Sequence, residues 1–175
     1  MRVIGGAARG RQLKAKLPAA VRPTTDYARE AIFSMLESRG GLAGLRVVDL
    51  YCGSGAMGIE ALSRGAAAVY FVDADPHCLS AAKSNLEPLA LDGESHFVRA
   101  FLPAWAPPRD LDLVLVDPPY GPLDLATLLH GVSATRCVVE NDRLMDPPVG
   151  WRVTKTKRYG TTLVTMLEPT RGDDA

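Results

Sequence analysis

Branched apolar residues recur along this chain in short runs, each ending on an acid or on turn residues. Leu113-Val114-Leu115-Val116 stops at Asp117-Pro118-Pro119-Tyr120, and Leu45-Arg46-Val47-Val48-Asp49-Leu50 stops at a glycine-rich loop. A continuous apolar run bounded by turn residues marks a strand buried on both faces, as in a parallel sheet. By the same test Ala68–Asp73 is a second strand, His96-Phe97-Val98 a short third and Arg136–Glu140 a fifth, with the Asp117 run as the fourth. Trp151 to Lys155 and Thr161 to Leu167 are two more β runs. Between them Lys155, Lys157, Arg158, Tyr159 and Gly160 read as a basic connection. Helical spacing alternates with the strands. Ala28, Ala31, Ile32, Met35 and Leu36 share one face, with Thr25 and Asp26 suited to the helix start and Gly40-Gly41 to its end. Ile59-Glu60-Ala61-Leu62 continues as helix after the glycine loop, a further helix starts at Pro76 and runs to about Leu91 with Ala82 and Leu86 among its apolar positions, and Leu125, Leu128 and Leu129 mark a short one. Asn141 to Val149 is a polar, proline-containing loop, a candidate lid or substrate edge.

This alternation predicts an α/β fold, and 175 residues suffice for one such domain with its own core. No internal repeat or second core is visible. The expected division is a basic arm and helix over 1–40, a core over 41–168 and a frayed tail over 169–175. No apolar run approaches the ~20 residues of a membrane span. The first residues lack the apolar segment of a secretory signal. Cys52, Cys78 and Cys137 are odd in number and scattered, without metal-ligand spacing, so a reducing cytoplasm is expected.

Net charge is zero, but its distribution is not even. Residues 1–46 carry nine Lys/Arg and three Asp/Glu, residues 47–150 six and fourteen, and residues 151–175 five and three. Arg2, Arg9, Arg11, Lys14, Lys16 and Arg22 stand in the first 22 residues without one acid. A basic arm on an acidic core suits a polyanion, most simply nucleic acid. Its glycines and Val3, Ile4 and Leu13 fit a short hairpin better than a free tail. Arg22 and Arg29, at the first helix, are either phosphate contacts or solvated helix-end charges.

Two motifs carry chemistry. Tyr51-Cys52-Gly53-Ser54-Gly55-Ala56-Met57-Gly58 follows a strand and opens a helix, and its glycines at 53, 55 and 58 match G-x-G-x-x-G. Such glycines let backbone approach a nucleoside cofactor, whether a nicotinamide dinucleotide or another. Asp73 lies 20 residues after Gly53, where a carboxylate can accept ribose hydroxyls. Asp75 serves the same pocket or caps the next helix, and His77 and Asn85 read as helix-face residues. In the second motif, Asp117 leaves a buried strand at the carboxyl edge, where open α/β sheets bind ligands. Pro118 and Pro119 stiffen the exit, and Tyr120 offers an aromatic face. Asp117 and the Pro118 carbonyl together can take the two N–H bonds of a nucleobase amine, while Tyr120 stacks on a base swung out of its surroundings.

Asp49-Leu50-Tyr51-Cys52-Gly53-Ser54-Gly55, followed by Asp117-Pro118-Pro119-Tyr120, resembles the class I S-adenosylmethionine-dependent methyltransferases of exocyclic amines. Ile4-Gly5-Gly6, Arg9-Gly10-Arg11, Arg22-Pro23-Thr24-Thr25-Asp26 and Arg29-Glu30 narrow this. They resemble the RsmD family of 16S rRNA guanine-N2 methyltransferases, over nearly the whole chain from Arg2 to about Leu167. The resemblance implies a Rossmann-like, seven-stranded, mostly parallel sheet with an antiparallel last strand and helices on both faces. It implies that Asp49, Gly53 and Gly55 line the methionine end of S-adenosyl-L-methionine, that Asp73 takes the ribose, and that Cys52 and Ser54 of the same loop are cofactor-binding. Phe101 stands about where such enzymes often place a polar adenine contact. Asp117, Pro118 and Tyr120 would hold the guanine, with Pro119 completing the catalytic motif. Arg9, Arg11, Lys14, Lys16, Arg22 and Arg29 would meet the RNA. The implied substrate is 16S rRNA or an assembling small ribosomal subunit, met by a cytoplasmic monomer without metal or membrane. Three alternatives stay open: an NAD-dependent oxidoreductase, an adenine-N6 methyltransferase, and a non-catalytic RNA-binding assembly factor.

Overall fold

In a computed structural model, residues 1–15, 26–119 and 121–170 are described. Lys16, Arg22, Thr25 and Tyr120 fall outside them, as do Pro23, Thr24 and the tail 171–175. The elements run α1 Asp26–Glu37, β1 Arg46–Leu50, α2 Ala56–Ser63, β2 Ala68–Asp73, α3 Pro76–Leu86, β3 Glu94–Arg99, β4 Leu113–Val116, α4 Leu125–Leu128, β5 Arg136–Asn141, β6 Trp151–Tyr159 and β7 Thr162–Pro169. Seven strands form one sheet in the order β3-β2-β1-β4-β5-β7-β6. β1 to β5 are parallel, and β7 runs antiparallel to both β5 and β6. The strand order reverses between β1 and β4, so their carboxyl ends frame the crevice where such sheets bind ligands.

Alternation within the central strands divides the core in two. Val47, Leu113, Leu115 and Val138 belong to the layer shared with Ile32, Phe33, Leu36, Ile59 and Leu62 of α1 and α2. Val48, Leu50, Val114, Val116, Cys137 and Val139 face the other way, towards Leu125, Leu128 and Trp151. Both faces are covered, which is why β4 has no polar residue and is buried throughout.

The N-terminal arm is a small hairpin. Arg2 bridges Gln12, the Val3 N–H donates to Arg11 O at 3.0 Å, and Leu13 N–H donates to Met1 O at 3.1 Å. Its apolar residues Val3, Ala8 and Leu13 are buried in the layer of α1 and α2. Backbone donors fix it to α2. Ile4 and Gly5 N–H reach the Glu60 carboxylate at 2.8 and 2.7 Å, and Ala8 N–H reaches Ser63 Oγ at 2.9 Å. Gly6 lies so close to α2 that a Cβ there would come within 1.8 Å of Ser63 O.

Three expectations need correction. Lys155, Lys157 and Arg158 are not a connection. They lie within β6, whose nine residues form the sheet edge, and the turn is confined to Gly160-Thr161. An edge strand of alternating exposed cations lacks the apolar signature of a buried one, and lysine on an edge discourages further strand pairing. Helix α3 ends at Leu86, short of Leu91, because Pro88 follows and a 3₁₀ turn over Glu87–Leu89 completes it. The third strand spans six residues rather than three, its outer positions half-exposed or exposed at the opposite edge. At the other end of the described chain, Thr170 is still held, its N–H donating to Gly150 O at 2.9 Å.

Candidate active site

The loop after β1 is built by backbone strain that glycine relieves. Gly53 and Gly55 have φ of +53° and +77°, and Tyr51 also sits in the left-handed region. The loop closes on itself through Gly55 N–H to Cys52 O at 2.7 Å. Space is as important as torsion. A Cβ on Gly58 would stand 2.3 Å from Phe71 Cε1, and one on Gly55 would stand 2.8 Å from Ala82 Cβ. The second and third glycines therefore let α2 settle against β2 and α3.

Acids at the strand ends hold this loop. Asp49 Oδ2, at the end of β1, accepts from Gly58 N–H at 2.8 Å. Asp73 spreads its two oxygens, accepting from Gly53 N–H and from Asp75 N–H, each at 3.0 Å. Asp75 caps α3, accepting from His77 N–H at 2.8 Å, so the capping alternative holds for it, and His77 is exposed. Asn85 is the residue that sequence reading undervalued. It is buried, donates from Nδ2 to Ser54 O at 3.0 Å and accepts from Ala15 N–H at 2.8 Å. One side chain thus ties the glycine loop to the end of the hairpin arm. Asparagine is a poor helix former, and a buried one in an amphipathic helix is the only sequence signal that could have marked it.

Asp117 follows β4 beside this loop, its N–H donating to Leu50 O at 3.4 Å. It is half-buried, as is Pro118, while Pro119 is exposed. β4 pairs β5 with Val116 opposite Val139, so one residue further on Asp117 and Glu140 stand side by side. Asp49, Asp117 and Glu140 thus gather on one face at the ends of three adjacent strands. Burial first, then the Asp117 and Asp73 charges, push the Asp49 carboxyl up to about 8, against the opposing Gly58 N–H. Burial and Asp117 raise Glu140 as well. The sign follows. A carboxyl that is easier to protonate when folded stabilises the fold below its unfolded value and loses that effect as pH rises through about 8. Asp49→Asn keeps an acceptor for Gly58 and removes the titration. Relative to the native protein, its melting temperature is expected to rise between pH 5 and pH 9. A constant difference across that range would show that Asp49 titrates normally.

Burial, with Asp49 next, pushes the Cys52 thiol far up, which leaves it without nucleophilic character. Phe101 lies just past β3, 70% exposed, with the Arg99 guanidinium 5.6 Å over its ring. The preceding Ala100 N–H donates to Asp73 O at 3.1 Å, so Phe101 is at the rim beside Asp73. Arg9, Arg11 and Lys14 are exposed on the hairpin, and Arg11 donates to Pro88 O at 2.8 Å.

Arg29 must be withdrawn as an RNA contact. It has no exposed surface, donates to Arg2 O and to Asp26 Oδ1, and lies in the field of Glu60. Desolvation lowers its pKa, while Asp26 and Glu60 oppose that shift. Its spacing from Ile32, Phe33 and Leu36 places it on the buried face of α1.

The pocket fits S-adenosylmethionine. The N-cap Gly55 has no side chain to cap α2, and Asp49 takes only the Gly58 N–H, so the start of the helix keeps donors for an anionic group such as a carboxylate. The acidic strand ends suit a sulfonium and oppose a dinucleotide's pyrophosphate. Among the described residues no cluster of His, Cys, Asp or Glu is placed to hold a metal ion, and no helix is long and apolar enough to cross a membrane.

Known proteins agree with this geometry. A family model described as "Conserved hypothetical protein 95" matches residues 1–168. The Bacillus subtilis (strain 168) protein YlbH is 37% identical, over 96% of this chain and 98% of its own. "Ribosomal RNA small subunit methyltransferase D" of Haemophilus influenzae is 33% identical over 91% of this chain and 89% of its own. Among solved structures, a hypothetical protein of Thermus thermophilus superposes with a TM-score of 0.74 at 27% identity, covering 96% of this chain and 99% of that one. The Synechocystis magnesium protoporphyrin IX methyltransferase with bound S-adenosylmethionine shares the fold at TM-score 0.64 and 16% identity, over 86% and 87% of the two chains. With its strand order, its glycine loop and its Asp117-Pro118-Pro119 exit all accounted for, the chain belongs to the conserved hypothetical protein 95 family, the RsmD family of class I methyltransferases.

Proposed function

We propose that this protein transfers the methyl group of S-adenosylmethionine to the exocyclic N2 amine of a guanine in 16S rRNA, free or in an assembling small subunit. The supporting observation is the half-buried Asp117 carboxyl, held on a double-proline exit beside the Asp49–Asp73 glycine loop. The guanine amine is a poor nucleophile because its lone pair is spread into the ring. Asp117 and the Pro118 carbonyl accept its two N–H bonds, and these bonds strengthen as nitrogen turns from planar to tetrahedral. The proton released when N–C bond formation completes leaves along the bond to Asp117. Tyr120 stacks on the base. Asp73 holds the ribose, the Gly53–Gly55 backbone and the start of α2 hold the methionine end, and Phe101 covers the rim. When bound, the cofactor supplies an already electrophilic methyl group, so positioning and electrostatics are what the chain must add. In this reading residues 1–40 are an RNA-contacting extension of a transferase core over 41–168, working as a cytoplasmic monomer.

The test is incubation with labelled S-adenosylmethionine and small-subunit RNA, naked and protein-loaded, followed by mapping. Label on a guanine N2 is the expected result. Label on adenine N6, or RNA binding without label, would replace the reading.

Two further results are expected. Asp73→Ala removes the ribose contact and also frees Gly53 N–H, so cofactor affinity should fall by about tenfold or more. Calorimetry showing unchanged affinity would place the ribose elsewhere. Neutralising Arg9, Arg11, Lys14 and Lys16 together should weaken RNA binding and reduce its salt slope by ~0.7–0.9 per lost phosphate contact. Cofactor affinity should hold, since Arg9, Arg11 and Lys14 are exposed on the arm and make no contact with the glycine loop. Equal salt slopes would move the docking surface to the cations of β6.

A further inference from the structure

Glu140 has no part in the reaction as set out above, yet it sits beside Asp117. It is 5% exposed, and its Oε2 accepts no hydrogen bond from any described residue. A buried carboxylate oxygen left unpaired is costly, and natural structures rarely tolerate one without a use for it. Nothing across the sheet satisfies it. Its partner on β7 is Val164, apolar and fully buried. On β4 the neighbour is another acid. Burial and that acid together raise the Glu140 pKa, and an N–H donor brought in from outside opposes both by favouring the ionised carboxylate.

We propose that Glu140 is a specificity-determining residue that accepts the N1–H of the target guanine while Asp117 accepts from the N2 amine next to it. The inference rests on the guanine-N2 reading and deepens it. Adjacent strand ends are ~4.8 Å apart, so two carboxyls side by side face one edge of one base. On guanine that edge carries two neighbouring donors, N1–H and N2–H. On adenine N1 carries a lone pair instead, which supplies no donor to hold Glu140 ionised and repels the ionised carboxylate. The same residue then favours guanine and rejects adenine, by attraction in one case and an unmet acceptor pair in the other.

The experiment uses the full chain and RNA bearing at the mapped position either guanine or 2-aminopurine. The analogue keeps the N2 amine but has a lone pair at N1. Native protein is expected to prefer guanine in kcat/KM by at least about tenfold. In Glu140→Gln the amide N–H can donate to the analogue's N1, so the preference should shrink by about tenfold or more. Cofactor affinity, read by calorimetry, should not change. The analogue's missing O6 affects both proteins alike and cancels in the ratio of ratios. An unchanged preference in Glu140→Gln, with turnover lowered equally on both bases, would make Glu140 structural and overturn the proposal. Should that variant not fold, the native comparison decides alone, since a native protein indifferent to the analogue does not read N1. Failure to methylate any guanine would overturn the N2 reading too, and so separates the two claims.

Discussion

Asp117→Ala is expected to abolish methyl transfer while leaving S-adenosylmethionine affinity close to native. The two halves of that result come from different parts of the site. The loop that would hold the cofactor is fixed by Asp49 on Gly58 and by Asp73 on Gly53, and neither contact involves Asp117. In the proposed reading the Asp117 carboxyl meets the amine, and its bond to nitrogen strengthens as that nitrogen becomes tetrahedral. Removing one such contact costs roughly 3 kcal/mol or more, a fall in kcat of over a hundredfold. Removing the charge also relieves Asp49 and Glu140, both of which Asp117 pushes up. The variant should therefore be no less stable than the native protein at neutral pH. Single-turnover transfer to RNA, beside calorimetry with the cofactor, checks both halves. Near-native turnover would remove Asp117 from the amine.

Glu60→Leu is expected to bring the largest loss of stability from a residue with no part in the chemistry. Glu60 is fully buried, accepts from Ile4 and Gly5 N–H, and receives Arg64 Nε at 2.8 Å. Leucine fills similar space but leaves two backbone donors unpaired and strips Arg64, only 13% exposed, of its buried partner, so that among the described residues only Glu37 at 3.1 Å still pairs with it. Breaking one side of a buried pair costs about 3–5 kcal/mol. For a domain of this size that is a drop in melting temperature on the order of 10 °C. A melting temperature close to native would show that the hairpin is held by its apolar contacts alone. RNA affinity should fall with the hairpin's ordering, although every cation of the arm is still present.

The central fold was legible because β1, β2, β4 and β5 are buried on both faces and announce themselves as apolar runs. β6 was not, since an edge strand spends its outer positions on solvent and reads as a loop. At the site, the acids that end β1, β2 and β4 were legible because strand ends and glycine turns carry letters. Asn85 and Glu60 were not. Their partners are backbone N–H groups 55 to 70 residues away, and a backbone donor leaves no mark in the sequence. Arg29 misled for the opposite reason. A guanidinium near a helix start suggests phosphate, whereas this one is fully buried and donates to Arg2 O and Asp26.

The position of β7 has a consequence for how the chain is made. β7 comes last among the strands but lies inside the sheet, between β5 and β6. Until it emerges from the ribosome, β5 presents an open ladder and β6 has nothing to pair with. A chain stopped near Gly160 would carry both hazards at once, a long hydrophobic edge and an orphan strand, and would invite pairing with other copies. The eight-residue β7 therefore acts as the closure of the whole sheet. Shortening this protein from its carboxyl end by even that one strand should make the chain aggregate.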